Sequence, residues 1–278
     1  MRTKTLLIAA AALAVGIVTS TAQTYSQNVV GYVTMTFPGA NKMSLICSPL
    51  QGLVNGVATN GATEILTSLQ TGDFIYVWHA DTNGTGYYVY EFHKGFLAGG
   101  YPSDYYDVGL GNIPGDEYNE YADATFAPEP QLGPGVAYFV QTANKQTNTF
   151  TGTVVLSNTN SPVPIKANNI INMLGSVVPV GGDIVTDADL CFSNILSTGD
   201  FVMIWNGTGY YVYEYHKGFL AQGYPSDWYD VGLGNIPGDE YNEYADATFA
   251  PAPQMTVGQA WVYQSPNTNH WSQNVILQ

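Results

Sequence analysis

Acidic side chains are concentrated in one stretch of the sequence, residues 83–131. Carboxylates supply the oxygen ligands of Ca²⁺, which takes about six to eight of them, so the stretch predicts a calcium site. Its acids have neither the EF-hand nor the nonapeptide spacing. The alternative is acids that are solvated or that lie at the first turn of short helices. The candidate metal ligands, including their counterparts in a second copy described below, are Asp104, Asp107, Asp116, Glu117, Glu120, Asp123, Asp227, Asp230, Asp239, Glu240, Glu243 and Asp246.

Tyrosines crowd the same stretch, and they predict a carbohydrate-binding surface. Aromatic rings stack on the apolar faces of sugars while a few polar groups fix the hydroxyls. We expect Tyr105 and its counterpart Trp228 to be the most exposed pair, because a stacking platform tolerates this exchange. The alternative is that most of these rings lie in the core. The predicted ligand-binding residues are Tyr101, Tyr105, Tyr106, Tyr118, Tyr121, Tyr224, Trp228, Tyr229, Tyr241 and Tyr244.

Two pairs of residues have the types required for acid–base chemistry. Glu91 and His93 are two positions apart, as are Glu214 and His216, so each pair shares one face of a strand. A histidine beside a carboxylate can transfer protons. No nucleophile elbow or zinc motif accompanies either pair, and the alternative is an exposed ion pair. We therefore predict that the protein is not an enzyme.

The sequence from residue 83 to residue 131 returns almost unchanged from residue 206 to residue 254. Of 49 positions, the four that differ are Phe92/Tyr215, Gly99/Gln222, Tyr105/Trp228 and Glu129/Ala252. Such a repeat predicts two copies of one structural unit. A shared function and a recent duplication both explain the near-identity.

A β-hairpin is predicted in each copy. Strand-forming residues 74–78 and 87–93 flank an Asn-Gly turn, as do residues 201–205 and 210–216. Copy one carries four extra residues, 79–82, at the tip. We expect a core wall built from Phe74, Tyr76 and Trp78 facing Tyr88, Tyr90 and Phe92. We expect residues 95–130 to cover the opposite face, with a helical turn at 116–122.

The flanking sequence predicts an all-β fold with minor helix. Residues 58–69 suggest a short helix, and residues 132–141 with 149–156 suggest a terminal hairpin. The polar segment SNTNSPVP is expected to be a linker. The prediction is two tandem, duplicated β-sandwich-like domains after a signal peptide: signal peptide 1–22, copy 1 23–156, linker 157–164 and copy 2 165–278.

The first 22 residues have the pattern of a secretory signal peptide. Arg2 and Lys4 precede an apolar run, and Ser20-Thr21-Ala22 forms a small-residue cleavage site. The run is shorter than the roughly 20 residues that span a bilayer, so we expect a secreted or cell-surface protein without membrane insertion. Export permits a disulfide between Cys47 and Cys191, but these cysteines occupy different repeat positions.

The charge of the chain limits its partners. Seven basic residues against 22 acidic ones give a net charge of −15, which repels nucleic acid and anionic membranes. Neutral polymers and divalent cations are better candidates. The sequence SQNVV at residues 26–30 is echoed by SQNVI at 272–276, and strand exchange between molecules is one interpretation of this echo.

The segments YSQNVVGYVTMTFPGANKMSLICSPL, GDFIYVW, LGPGVAYFV and TFTGTV resemble a loosely defined family of secreted bacterial proteins of unknown function. The resemblance covers most of copy 1 and less of copy 2. It implies export and an all-β fold, and it implies no activity.

Taken together, the sequence predicts a secreted, non-catalytic binding or adhesion protein for an extracellular polysaccharide or cell-surface glycan. The alternative is a structural component of the cell envelope or extracellular matrix that is calcium-ordered and self-associating.

Overall fold

A computed structural model of the protein describes residues 30–81, 84–109, 112–232, 235–243 and 245–275. The predicted signal peptide, most of the SQNVV segment and the predicted ligand residue Tyr244 lie outside the described residues.

Copy 1 is built from short antiparallel strands and one helical turn, α1 (Ala62–Ile65). Its main sheet has seven strands in the order β2-β10-β5-β6-β7-β9-β8, and β1 pairs with β11 in a separate ribbon. The strands are β1 (Val30–Phe37), β2 (Lys42–Cys47), β3 (Gly52–Val54), β4 (Val57–Thr59), β5 (Asp73–Asp81), β6 (Gly84–Phe92), β7 (Tyr105–Asp107), β8 (Glu117–Asn119), β9 (Ala124–Ala127), β10 (Ala137–Thr142) and β11 (Gln146–Thr153).

Copy 2 repeats this topology. Its seven-stranded sheet has the order β13-β21-β15-β16-β17-β19-β18, in which each strand matches its counterpart in copy 1. Short 3₁₀ turns occur at Leu97–Gly99, Phe192–Asn194 and Leu220–Gln222. The strands are β12 (Val163–Ile165), β13 (Asn172–Gly175), β14 (Gly182–Asp183), β15 (Asp200–Trp205), β16 (Tyr210–Tyr215), β17 (Trp228–Asp230), β18 (Glu240–Asn242), β19 (Ala247–Ala250), β20 (Gln254–Met255), β21 (Ala260–Gln264) and β22 (Asn269–Trp271).

Each copy has its own apolar core between the seven-stranded sheet and the two-stranded ribbon. In copy 1, Ile75 and Tyr138 of the sheet are buried in one cluster with Phe37 and Phe150 of the ribbon. In copy 2, Trp271 of the β12–β22 ribbon takes the place of Phe150. The predicted fold class, all-β with two similar sandwich-like units, is confirmed.

The central hairpin forms as predicted, but β5 turns towards the core the face that was expected to point away from it. Ile75 pairs with Tyr90, and Val77 pairs with Tyr88, so these residues line the core side. The expectation that Phe74, Tyr76 and Trp78 form the core wall is wrong. The hairpin register places Phe74 opposite Glu91 and puts these three rings on the outer face. The described part of the insertion, residues 79–81, pairs with residues 84–86 and so lengthens the hairpin towards its tip.

The long segment after the hairpin does not fold back as a cover. It supplies β7, β9 and β8, which extend the edge of the same sheet beyond β6. The predicted helical turn at 116–122 is wrong, because Glu117–Asn119 is a strand paired with β9.

Two predictions about the flanks also need correction. Residues 58–69 contain only the single turn α1, preceded by the end of β4. The predicted terminal hairpin does not form, because β10 pairs with β2 and β5 whereas β11 pairs with β1. The two strands therefore lie on opposite sides of the core.

The outer face of each hairpin is covered by the other copy. A third apolar cluster joins Leu45, Cys47 and Phe139 of copy 1 to Ala260 and Val262 of copy 2. We call this contact the junction. Cys47 is buried there, Cys191 lies elsewhere, and both thiols are free.

The two copies are related across the junction by an approximate two-fold axis. The Nε1 atom of Trp78 donates a hydrogen bond of 3.1 Å to the carbonyl oxygen of Ile171. The equivalent Trp205 donates one of 2.9 Å to the carbonyl oxygen of Met43, which is the equivalent of Ile171. Such reciprocal contacts define an isologous interface, here formed within one chain.

Candidate functional site

The predicted stacking platform, Tyr105 and Trp228, is not at the surface. Each side chain is only 1 % exposed. The ring of Tyr105 packs 5.3 Å from that of Phe92, and its hydroxyl lies 3.1 Å from that of Thr63. Successive side chains alternate across a strand, so β7 turns Tyr105 into the core and leaves Tyr106 on the outer face. The sequence-based prediction for Tyr105 and Trp228 is therefore wrong.

The outer strands of copy 1 align acidic and aromatic side chains in one row across the sheet. Glu91 of β6 lies opposite Tyr106 of β7, Tyr106 lies opposite Phe126 of β9, and Phe126 lies opposite Glu117 of β8. Residues that face each other in neighbouring strands project from the same face. This row continues the outer face of the hairpin beyond the junction.

Three further rings pack around this row. His93 follows β6 and lies 4.2 Å from Tyr106 and 5.0 Å from Phe96, centroid to centroid. Tyr101 stacks on Phe126 at 5.6 Å and 18°. We call this group the aromatic patch, and its members are Glu91, His93, Phe96, Tyr101, Tyr106 and Phe126.

A loop with internal hydrogen bonds holds Phe96 and Tyr101 in place. The amide of Tyr101 donates to the carbonyl of Phe96, and the carboxylate of Asp104 accepts a 2.6 Å hydrogen bond from the amide of Leu97. Gly100 closes the turn at φ +92°, a conformation that favours glycine. Both the sheet and this hydrogen-bonded loop therefore position the side chains of the patch.

Copy 2 carries the same patch with the same geometry. His216 lies 4.3 Å from Tyr229, and Tyr224 stacks on Phe249 at 5.6 Å and 17°. The members are Glu214, His216, Phe219, Tyr224, Tyr229 and Phe249.

The patch offers ring faces, hydroxyls and the carboxylate of Glu91 to a ligand, and Glu117 projects from the same face opposite Phe126. Tyr101 is 37 % exposed, and Tyr106 is partly exposed above the buried Phe126. Desolvation, with a smaller effect of Tyr101 and Glu91, raises the pKa of Tyr106, so its hydroxyl stays neutral. A groove of about 260 Å³ borders Phe126 in copy 1, and its counterpart in copy 2 has about 310 Å³.

The predicted acid–base pairs are adjacent in space. The Nε2 atom of His93 lies 3.1 Å from the Oε1 atom of Glu91, and His216 and Glu214 repeat that distance. Both side chains of each pair are partly accessible. The pair can accept or donate hydrogen bonds at the border of the patch.

The other predicted tyrosines lie away from the patch. Tyr118 alternates with Glu117 in β8 and so projects from the opposite face, where its hydroxyl donates to Asp123 at 2.8 Å. Tyr241 makes the same contact with Asp246 in copy 2. Tyr121 is fully exposed in the turn after β8.

The predicted metal ligands do not converge. Asp107 is 4 % exposed, and its carboxylate accepts hydrogen bonds from the amides of Gly109, Asn112 and Ile113. Asp230 holds the equivalent loop in copy 2 in the same way. Within the described ranges, no three acidic, histidine or cysteine side chains come together as a metal site. The calcium site therefore stays a prediction from the sequence.

Sequence reasoning missed Phe96, Phe126 and their counterparts as parts of the site, and it considered Glu91 and His93 only for catalysis. Their identity in both copies was visible in the sequence, but their proximity to Tyr101 and Tyr106 depends on β7 and β9 pairing in one sheet.

Comparison with protein families, with characterised proteins and with solved structures finds no match for this chain. Among the described residues, no helix has the length and apolarity needed to cross a membrane.

Proposed function

We propose that this chain is a secreted, non-catalytic binding or adhesion protein whose ligand is an extracellular glycan. The glycan binds at the aromatic patch of each copy. The observation that carries this proposal is the presence of the same partly exposed group of rings, bordered by carboxylates, in both copies.

The chemistry of the patch suits a neutral sugar. The faces of Tyr101 and Tyr106 can stack on the apolar face of a pyranose ring, as aromatic linings do in small-molecule sites. Glu91 lies opposite Tyr106 and can accept hydrogen bonds from sugar hydroxyls. The net charge of −15 disfavours a polyanionic glycan.

The four differences between the repeats support a shared ligand, because none of them is a member of the patch; Glu129/Ala252 lines the neighbouring groove. Phe92/Tyr215 and Tyr105/Trp228 are packed in the two cores. Glu129 accepts a hydrogen bond from the amide of Thr63 at the first turn of α1, a helix without a counterpart among the described residues of copy 2. The exchange at residue 99 lies in an exposed turn. Exposed positions usually tolerate substitution better than packed ones, yet here the patch is unchanged.

Two equal patches on one chain give multivalent binding to a polymer. When one patch is bound, the second meets the next binding site at a raised effective concentration. A repeating polysaccharide is therefore a better ligand than a single short oligosaccharide.

A second candidate function is a self-associating component of the envelope or matrix. The observation that favours it is β1, an eight-residue strand that pairs with β11 alone among the described strands. An unpaired strand edge can accept a strand from another molecule. In this case light scattering detects assembly, with or without Ca²⁺, and no glycan is bound.

The test is a glycan array probed with the mature protein, followed by variants of the patch. Tyr106→Ala and Tyr229→Ala remove a partly exposed ring from each patch. We expect each single variant to weaken binding to a polymer and the double variant to abolish it. Tyr118→Ala with Tyr241→Ala is the matched control, since these exposed tyrosines project from the opposite face.

Three results would count against the proposal. One is an array without any bound glycan, and another is an equal loss of binding in the control variant. The third is turnover of a bound glycan that disappears in Glu91→Gln with Glu214→Gln, which would make the protein an enzyme.

A further inference from the structure

A cavity of about 480 Å³ lies where the linker between the copies meets both of them. It is separate from the aromatic patches, and it takes residues from copy 1, from copy 2 and from the linker itself. Its volume falls within the range of roughly 300–1,000 Å³ that is typical of small-molecule sites.

The lining of this cavity carries amides and hydroxyls on an apolar wall, without a charged or aromatic side chain. Gln51, Asn60, Asn160 and Ser161 supply polar groups, and Val136 is one of the apolar residues beside them. A charged ligand would lose its hydration there without gaining a counter-charge. Side-chain amides both donate and accept, which matches neighbouring hydroxyl groups. The lining therefore selects a neutral, hydroxyl-rich molecule.

Several of these polar groups have unused hydrogen-bonding capacity. The Nε2 atom of Gln51 donates to the carbonyl of Thr59 and to Oδ1 of Asn60, which leaves the side-chain Oε1 of Gln51 and the side-chain Nδ2 of Asn60 available. The side chains of Asn160 and Ser161 make no hydrogen bond to any other part of the chain that the structure describes.

Hydrogen bonds between the linker and the end of copy 2 hold the linker wall of the cavity in place. Asn158 is 8 % exposed. Its side-chain Nδ2 donates to the carbonyl of Trp271, and its Oδ1 accepts a 2.6 Å hydrogen bond from the backbone amide of Gln273. On the other side of the cavity, the backbone at Gly135 approaches Val177 of copy 2 closely. A site that is already ordered loses little entropy when a ligand binds.

We propose that this cavity beside the linker is a second binding site, which takes one or two units of a neutral saccharide. It differs from the aromatic patch in its chemistry, because it binds by hydrogen bonds to amides and not by stacking. Since both copies line it, its ligand also strengthens the contact between them.

The test is titration of the full mature protein with glucose, galactose and N-acetylglucosamine, with binding detected by calorimetry or by ligand-observed NMR. Glucosamine and glucuronate serve as charged analogues of similar size. We expect one or more of the neutral sugars to bind with a Kd of about 1 mM or tighter, and the charged analogues to bind at least about tenfold more weakly.

Ser161→Trp places an indole in the cavity, and Thr159→Trp is its matched control on the same linker, since both residues are exposed and only Ser161 lines the cavity. We expect Ser161→Trp to weaken neutral-sugar binding by about tenfold or more and Thr159→Trp to leave it unchanged. All of these titrations use the Tyr106→Ala/Tyr229→Ala background, in which we expect binding at the cavity to persist, so that sugar bound at the aromatic patches does not contribute. Circular dichroism and thermal unfolding verify that each variant is folded.

Three outcomes in this background overturn the proposal: no neutral sugar binds, a charged analogue binds as tightly, or binding survives Ser161→Trp. None of the three would affect glycan binding at the aromatic patches, which has its own variants.

Discussion

Tyr87 and Tyr210 occupy the same position in the two copies, and their side chains hydrogen-bond to each other across the junction. Burial raises the pKa of both phenols, so the contact joins two neutral hydroxyls at ordinary pH. A direct contact between equivalent residues marks the approximate two-fold axis. The junction is thus built like the interface of a homodimer, with the two subunits joined by the linker.

The reciprocal tryptophan hydrogen bonds should contribute to the stability of this junction. Trp78→Phe removes the indole donor to the carbonyl of Ile171, and Trp205→Phe removes the donor to the carbonyl of Met43. We expect each variant to lower the free energy of unfolding by about 1–3 kcal/mol, as measured by urea denaturation.

Tyr32→Phe is the control for these two variants, because Tyr32 is 79 % exposed. Its free energy of unfolding should stay within about 0.5 kcal/mol of the wild-type value. Equal effects of the tryptophan and control variants would mean that the indole hydrogen bonds do not stabilise the junction.

The close approach of the copies at Gly175 should not tolerate a side chain. A Cβ atom at Gly175 would lie 2.2 Å from that of Cys47 in the buried junction. We expect Gly175→Ala to lower the free energy of unfolding by about 1–3 kcal/mol through overpacking. Gly209→Ala is the control, since a Cβ atom there meets nothing within 4 Å.

Adding Cys47→Gly to Gly175→Ala should restore part of the loss, because it removes the opposing Cβ atom. A double-mutant cycle measures this coupling. Purely additive effects of the two substitutions would show that the residues do not contact each other.

Asp107 and Asp230 should fix the loops that follow β7 and β17. Each carboxylate accepts hydrogen bonds from three backbone amides. We expect Asp107→Asn to cost about 1–3 kcal/mol, because the amide has one acceptor oxygen in place of two. Hydrogen exchange should become faster at Gly109 and Ile113. Asp187→Asn is the control, because Asp187 accepts hydrogen bonds from the amides of a different loop, and it should leave hydrogen exchange at Gly109 and Ile113 unchanged. Faster exchange over the whole chain in Asp107→Asn would contradict a local role.

Stability should fall in alkaline solution. Burial raises the pKa of Cys47 to about 12 from 9.0, and mainly burial raises the pKa of Tyr90 and Tyr213 to about 12 from 10.0. These groups lose their protons more readily in the unfolded chain. Their contribution to stability is therefore complete below about pH 9 and decreases as the pH rises towards 12.

Urea denaturation at about pH 8 and about pH 11 measures this decrease. The Cys47→Ala variant should show a smaller decrease than the wild type, because one of the three groups is absent. A free energy of unfolding that stays constant up to pH 11 would contradict the burial of these side chains.

Much of the architecture was predictable from the sequence, because it depends on local patterns and on the repeat. The aromatic strands around Asn-Gly predict the hairpins, and the near-identity of residues 83–131 and 206–254 predicts that one topology occurs twice. The buried set Tyr88, Tyr90 and Phe92 was also predicted, since alternation assigns these residues to one face.

The side of the sheet on which Phe74, Tyr76 and Trp78 lie was decided only by tertiary structure. Alternation groups these rings but does not say which face meets the core, and a register shift of one residue exchanges the two faces. The outer position of Tyr76 and Trp78 becomes favourable because copy 2 packs against them. The same alternation turned Tyr105 inward and left Tyr106 in the patch.

The sequence by itself determined the elements, their duplication and the acidic, aromatic chemistry of the repeated segment, because these follow from contacts between near neighbours along the chain. Tertiary structure alone decided the aromatic patch, the junction and the cavity beside the linker. Each of these unites residues that are distant in sequence, and their proximity follows from strand order and from the packing of one copy on the other.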